Sequence, residues 1–166
     1  SPYRFTHAAD ALSRAALQNA VFAVGPLGRV NTSRLIIPWA TYTSPEVARV
    51  GLSERDAADA GIEIDVYLQP LEGVDRAVLD GCHNGFVKIL THRGTDRIAG
   101  AAIVAEHADE LISLIASAMT NRIGLRRLAS VICPYPTLSE AVRKAGDQYN
   151  RTRLTRISRA VLSILR

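Results

Sequence analysis

Cysteine is scarce in this chain of 166 residues: Cys82 and Cys133 are the only two. They are too few and too isolated for a disulfide framework, and that usage suits a reducing cytoplasm. Long apolar runs are missing too. None reaches the roughly 18 residues needed to cross a bilayer, so no membrane contact is expected. The start, Ser1-Pro2-Tyr3-Arg4, has neither an initiator methionine nor a basic segment followed by an apolar core. That argues against a signal peptide and for a processed or excised chain. No glycine-rich phosphate loop follows a predicted strand, and no Cys-x-x-Cys or Cys-x-x-x-x-Cys pair is present, so the chain cannot hold a dinucleotide by itself in the usual way. His83, His92 and His107 lack ligand spacing, and no metal site is expected.

Acidic residues run short at one end. From Arg143 onward, Arg143, Lys144, Arg151, Arg153, Arg156, Arg159 and Arg166 face a single Asp147. Such a stretch can bind an anionic surface or nucleic acid. The segment after Tyr149 carries no aromatic side chain to stack a base, and Leu154, Ile157, Val161 and Leu165 recur at helical spacing opposite the arginines. A solvated face of a basic terminal helix explains the pattern better, and no nucleic acid is expected as a partner.

What is present describes a globular domain: 48% apolar and 22% charged residues in a length that builds one core. Residues 6–24 read as a helix, with Thr6 as N-cap, small apolar residues at helical spacing, and Gly25-Pro26 as its stop. Residues 25–34 read as a loop. Strands are expected at 36–43 and 47–52, joined by a turn at Pro45-Glu46, and at 62–68, 86–90 and 98–105. Ser53-Glu54-Arg55-Asp56 has the spacing of a capping box that opens a short helix closed by Gly61. The segment 74–79 is weakly patterned. Residues 92–96 form a turn, and 106–121 an amphipathic helix carrying Leu111, Ile112, Ile115 and Met119 on one face, with Glu106 and Asp109 in its acidic first turn. Shorter helices are expected at 125–132 and 138–148. Strands segregated from helices indicate an α+β fold: an antiparallel sheet of about five strands flanked by helices.

The most telling stretch is Tyr135-Pro136-Thr137-Leu138-Ser139-Glu140. It resembles the His-Pro-Thr-x-x-Glu segment of the dimeric FAD-dependent pyridine nucleotide-disulfide oxidoreductases, with tyrosine in the place of the acid/base histidine. Further stretches match the same family in order. Phe5-Thr6-His7-Ala8-Ala9 resembles the start of the last helix of the family's FAD domain, and Thr43-Ser44-Pro45-Glu46-Val47-Ala48-Arg49-Val50-Gly51 the opening of its interface domain. Gly85-Phe86-Val87-Lys88, Ile98-Ala99-Gly100-Ala101 and Ala108-Asp109-Glu110-Leu111-Ile112 resemble that domain's later strands and central helix. The resemblance implies a tail of the FAD domain over residues 1–34 and the dimerisation domain over 35–166.

It also implies a function. The domain forms a homodimer, covers the partner subunit's flavin and redox-active disulfide, and works with upstream FAD and NAD(P) domains of the same protein. FAD and NAD(P)H are cofactors of the full-length protein, and the fragment alone is expected to bind neither and to be inactive. Thr6, His7 and Ala8 are implied to contact the flavin through their backbone, where the positive end of a helix favours negative charge. Tyr135 and Glu140 are implied in the composite catalytic site. Histidine titrates near neutral pH, whereas a phenol with a pKa of about 10 stays protonated unless a metal or cation draws the proton off. The exchange therefore points to a mercuric reductase-like member in which Tyr135 hydrogen-bonds substrate or, as phenolate, helps ligate a soft metal ion. A local alternative makes Thr137 and Glu140 a capping box, and Cys133 reads as a small buried residue. The chain ends Ser163-Ile164-Leu165-Arg166 without the vicinal cysteines of mercuric reductases. A dihydrolipoamide dehydrogenase-like protein and a free-standing dimerisation or nucleic-acid-binding module are the alternatives.

Overall fold

Alternation along the strands is what builds the sheet. The computed structural model describes residues 4–153, and the basic helix expected beyond Arg153 lies outside them. Five strands, β1 (Trp39–Thr41), β2 (Glu46–Gly51), β3 (Ile64–Pro70), β4 (Phe86–His92) and β5 (Ile98–Ala105), pair antiparallel throughout in the order β1-β2-β5-β4-β3. Every second side chain faces the same way. Ala48, Ile103 and Val87 therefore lie side by side across the sheet, as do Val50, Ala101, Ile89 and Tyr67.

Two helices cover that face: α4 (Ala108–Thr120) over β2 and β5, and α6 (Glu140–Thr152) over β3 and β4. Leu111, Ile112 and Ile115 of α4 are buried, as are Ala141, Val142, Ala145 and Tyr149 of α6. Tyr149 meets Tyr67 edge-on, with ring centroids 5.7 Å apart. The small residues of α6 let it approach closely, and Gly146 is required: a Cβ there would sit 2.8 Å from the Ala129 methyl. Gly100 is equally constrained in β5, where a Cβ would meet the Leu52 carbonyl oxygen at 2.1 Å.

The α+β layer expected from the sequence is the one observed. Residues 74–79, weakly patterned, form a short helix α3 (Asp75–Leu79) pinned by fully buried Val74 and Ala77. The expected helix at 125–132 contracts to one turn, α5 (Leu125–Leu128), after which the backbone tightens into three-residue turns, with the Ser130 N–H donating to the Arg127 carbonyl and the Val131 N–H to that of Leu128. Glu106 precedes α4 and accepts from Ser44 Oγ at 2.9 Å, so the acidic first turn consists of Asp109 and Glu110 instead. The β1 strand is shorter than residues 36–43, since Pro38 has no N–H and its carbonyl is taken by His7.

The box at Ser53 forms as expected. Ser53 Oγ accepts from the Asp56 N–H at 3.0 Å, the Asp56 carboxylate accepts from the Ser53 N–H at 2.8 Å, and α2 (Glu54–Asp59) follows. The Ser53 hydroxyl and N–H, then Arg49, hold the Asp56 carboxyl below the usual carboxylate range. A lowered folded-state pKa contributes stability present above the unfolded value near 3.9 and lost as pH falls through the folded one. Ser53→Ala is expected to cost about 1 kcal/mol and to flatten the fall in stability on acidification. Urea denaturation at pH 7 and below pH 4 checks both.

Candidate functional site

Helix α1 (Thr6–Leu17) begins one residue earlier than its sequence suggests. Phe5, extended at φ −111° and ψ 149°, occupies the N-cap position, and no side chain caps the helix. Thr6 is already helical, which corrects its expected role: from the first turn its hydroxyl cannot reach forward to the N–H groups a cap serves. The α1 N-terminus therefore presents its first backbone donors with no side-chain acceptor and no acidic residue in the first turn. The His7 side chain is occupied, donating from Nε2 to the Pro38 carbonyl at 2.7 Å and stacking on Phe5. Ala8 is buried whereas Thr6 and His7 are exposed. A π-helical turn at Gln18–Phe22 ends the helix, and Gly25 follows at φ 59°.

Tyr135 stands on the loop between α5 and α6, between Pro134 and Pro136, and its side chain is 72% exposed. The Tyr135–Pro136 peptide bond is cis. Its hydroxyl donates to Asp75 Oδ2 at 2.8 Å, spanning 60 residues. That bond, then the negative charge of Asp75 and more distantly of Glu140, raises the phenol above its ordinary value of 10.0. At neutral pH the ring is a phenol, and the phenolate expected for metal ligation is disfavoured in this arrangement.

Glu140 is not hydrogen-bonded to Tyr135. Its Oε1 pairs with Arg143 at 3.0 Å and with Lys144 at 3.7 Å. Arg143 also pairs with Asp147 at 2.7 Å, and the carboxylates hold its guanidinium above its ordinary pKa, the Glu140 hydrogen bond contributing most. Glu140 Oε2 is buried with no hydrogen-bond partner among the described residues. The capping box expected of Thr137 and Glu140 does not form. Ser139 is the N-cap of α6, Thr137 Oγ1 donates to the Pro134 carbonyl at 2.8 Å, and the Glu140 carboxylate is diverted to its own helix. Cys133 is half-buried rather than core, and among the described residues no three His, Cys, Asp or Glu side chains cluster to hold a metal ion.

The structure thus leaves two separate groups, the α1 N-terminus and the Tyr135–Asp75 pair with Glu140 beneath the loop. No hydrogen bond joins them among the described residues. Asp75 is missing from the sequence reading because nothing local marks it. Arg143 and Asp147 were legible as i, i+3 and i, i+4 neighbours on one helix face. Arg143 is spent on Glu140 and Asp147, and Arg153 donates to the Gly94 carbonyl and stacks on Tyr149, so this part of the basic stretch is not a free patch.

Comparison with known proteins follows the same outline. The sequence model of the pyridine nucleotide-disulphide oxidoreductase dimerisation domain matches residues 37–146. A dihydrolipoyl dehydrogenase of Buchnera aphidicola subsp. Schizaphis graminum is 36% identical over 117 residues, 70% of this chain and 25% of that protein. A mercuric reductase of Shewanella putrefaciens is 36% identical over 115 residues, 69% of this chain and 21% of that protein. The HOCl-induced flavoprotein disulfide reductase RclA of Escherichia coli superimposes with a TM-score of 0.76 at 22% identity, over 87% of this chain and 33% of RclA, a likeness of fold. The chain spans a quarter or less of these two curated relatives. With its five-stranded antiparallel sheet, its two covering helices and a match over most of its length, this chain belongs to the dimerisation domain family of the pyridine nucleotide-disulphide oxidoreductases.

Proposed function

We propose that this chain is the dimerisation part of a homodimeric FAD-dependent NAD(P)H:disulfide or metal oxidoreductase, in which it completes the partner subunit's active site. One observation carries this reading: a tyrosine is displayed on a proline-bracketed, apolar loop left exposed by the other described residues. Ile132 is 94% exposed and Val131 43% exposed beside it. Water-facing side chains of that size on one loop are what a second copy would bury. Residues 4–34 belong in this reading with the preceding flavin domain, which would cover Leu17, Val21 and Phe22, all exposed here.

The uncapped α1 N-terminus fits a flavin edge. The backbone N–H groups of Thr6 and His7, both exposed, would donate to it, and the helix dipole would favour negative charge there, whereas Ala8 is fully buried and its expected contact does not fit. Bound FAD supplies the two-electron relay between reduced nicotinamide and the disulfide. Tyr135 of one subunit would lie over the redox centre of the other as a neutral, hydrogen-bonding group, with Glu140 and Arg143 stiffening the base of its loop. Light scattering on the purified chain tests the first step. A dimer supports the reading, and a monomer at every concentration overturns it.

A dihydrolipoyl dehydrogenase-like activity is favoured by one specific feature, the buried and unpartnered Glu140 Oε2. On this reading a histidine at position 135 would find there an acceptor that orients its ring. Tyr135→His in the full-length enzyme is expected, on that reading, to raise dithiol turnover at least about tenfold, the low end of what one positioned acid/base group supplies being about a hundredfold. Steady-state kinetics with a dithiol substrate check it, and unchanged turnover removes the reading.

A further inference from the structure

The Tyr135 hydroxyl has a partner that no sequence feature announces. Asp75 opens α3, a helix set by Val74 and Ala77, both fully buried, so its carboxylate projects from a fixed base. The adjacent cation does not neutralise it. Arg76 is drawn along the helix to Asp80 through two contacts of 2.7 Å, and among the described residues no cation pairs with Asp75. Across from it the loop is restrained by Pro134, Pro136 and the Thr137 hydroxyl on the Pro134 carbonyl at 2.8 Å. Between these two supports the phenol donates to Asp75 Oδ2 at 2.8 Å while most of its ring remains open to solvent.

We propose that Asp75 is the positioning residue of Tyr135: by taking the phenol proton in a hydrogen bond it aims the lone pairs of the phenol oxygen, rather than the proton, at whatever docks on the exposed ring. The inference rests on Tyr135 lying in the shared site. A phenol has one proton and two acceptor lone pairs. With the proton committed to Asp75, the oxygen can only accept, so the group it meets must itself be a hydrogen-bond donor, and a thiol S–H is the donor that disulfide chemistry provides. An anionic acceptor without a proton to give would have to break the Asp75 bond first. Two carboxylates bear on the phenol, Asp75 of α3 by hydrogen bond and Glu140 of α6 at longer range, and both favour the protonated ring. Glu140 is partly balanced by Arg143 and Lys144, so Asp75 dominates.

The test uses the full-length FAD-loaded enzyme that carries this domain, labelled with ¹³Cζ-tyrosine so that each phenol titrates in an NMR spectrum. Tyr135→Phe identifies the resonance by its loss. In D75N the Tyr135 titration is expected to move to lower pH, because the acceptor shape stays and the charge goes, and D75E is expected to restore part of the shift. Turnover with a dithiol substrate is expected to fall between about two- and tenfold in D75A, which removes the acceptor that D75N keeps, and in Y135F alike, the size of one net hydrogen bond. The double variant is expected to be no worse than Y135F, since the two residues act as one unit. An unchanged Tyr135 titration in D75N overturns the contact itself, whatever the kinetics show. A shifted titration in D75N with D75A turnover intact, while Y135F is impaired, overturns the positioning role. Full turnover in Y135F removes Tyr135 from the shared site, and the role of Asp75 with it, even where the titration reports the bond.

Discussion

Ile115→Ala is expected to lower the unfolding free energy by about 2–5 kcal/mol, the range for truncating a buried branched side chain. Ile115 is completely buried in the middle of α4, between Leu111 and Ala118 on the face that covers β2 and β5. The sheet face that α4 covers carries buried strand residues such as Val50, Ala101 and Ile103, and strands held by ladder hydrogen bonds on both sides cannot collapse into a void. The loss therefore combines the transfer of the missing carbons with the cavity they leave. Ile115→Val removes a single methylene and is expected to cost only about 0.5–1.5 kcal/mol. Urea melts with an unchanged m-value and a lower midpoint check the pair, and equal effects of the two substitutions would place the side chain outside the core.

Ile132→Asp is expected to weaken self-association by about a hundredfold or more while leaving the fold of each subunit intact. The side chain is 94% exposed in the single chain, so a charge there costs the monomer nothing. In the dimer the same side chain would be buried, and burying an isoleucine is worth about 1.5–3 kcal/mol. A twofold interface contains each residue twice, so the loss is counted twice, and an unpaired carboxylate at an apolar contact adds its desolvation. Sedimentation equilibrium measures the dissociation constant, and the unfolding midpoint at high dilution serves as control. An association constant unchanged in Ile132→Asp would show that the loop lies outside the contact between copies.

Much of the framework was legible before any coordinates. The apolar run of 98–105 after the turn at 92–96, and the helical spacing of Leu111, Ile112, Ile115 and Met119 in 106–121, place β5 and α4. The box at Ser53 and Asp56 was legible because both partners lie within one turn. Legibility failed where two local arrangements compete. Thr6 and the Thr137–Glu140 spacing look like caps, but Phe5 takes the first position and Arg143 captures the carboxylate of the second. Residues 74–79 carry too short an apolar pattern to show a helix that buried Val74 and Ala77 hold in place.

Determined by the sequence alone were the antiparallel α+β layer, the identity of the 135–140 segment and the exchange of a titrating imidazole for a phenol, because side-chain period and residue chemistry are local properties. Only the tertiary structure decided that this phenol is joined to Asp75 and held protonated, and that Ile132 faces water. Those outcomes depend on which residues the sheet and its two helices bring within 3 Å of each other, and 60 residues of intervening chain leave no trace of that proximity in the order of the amino acids.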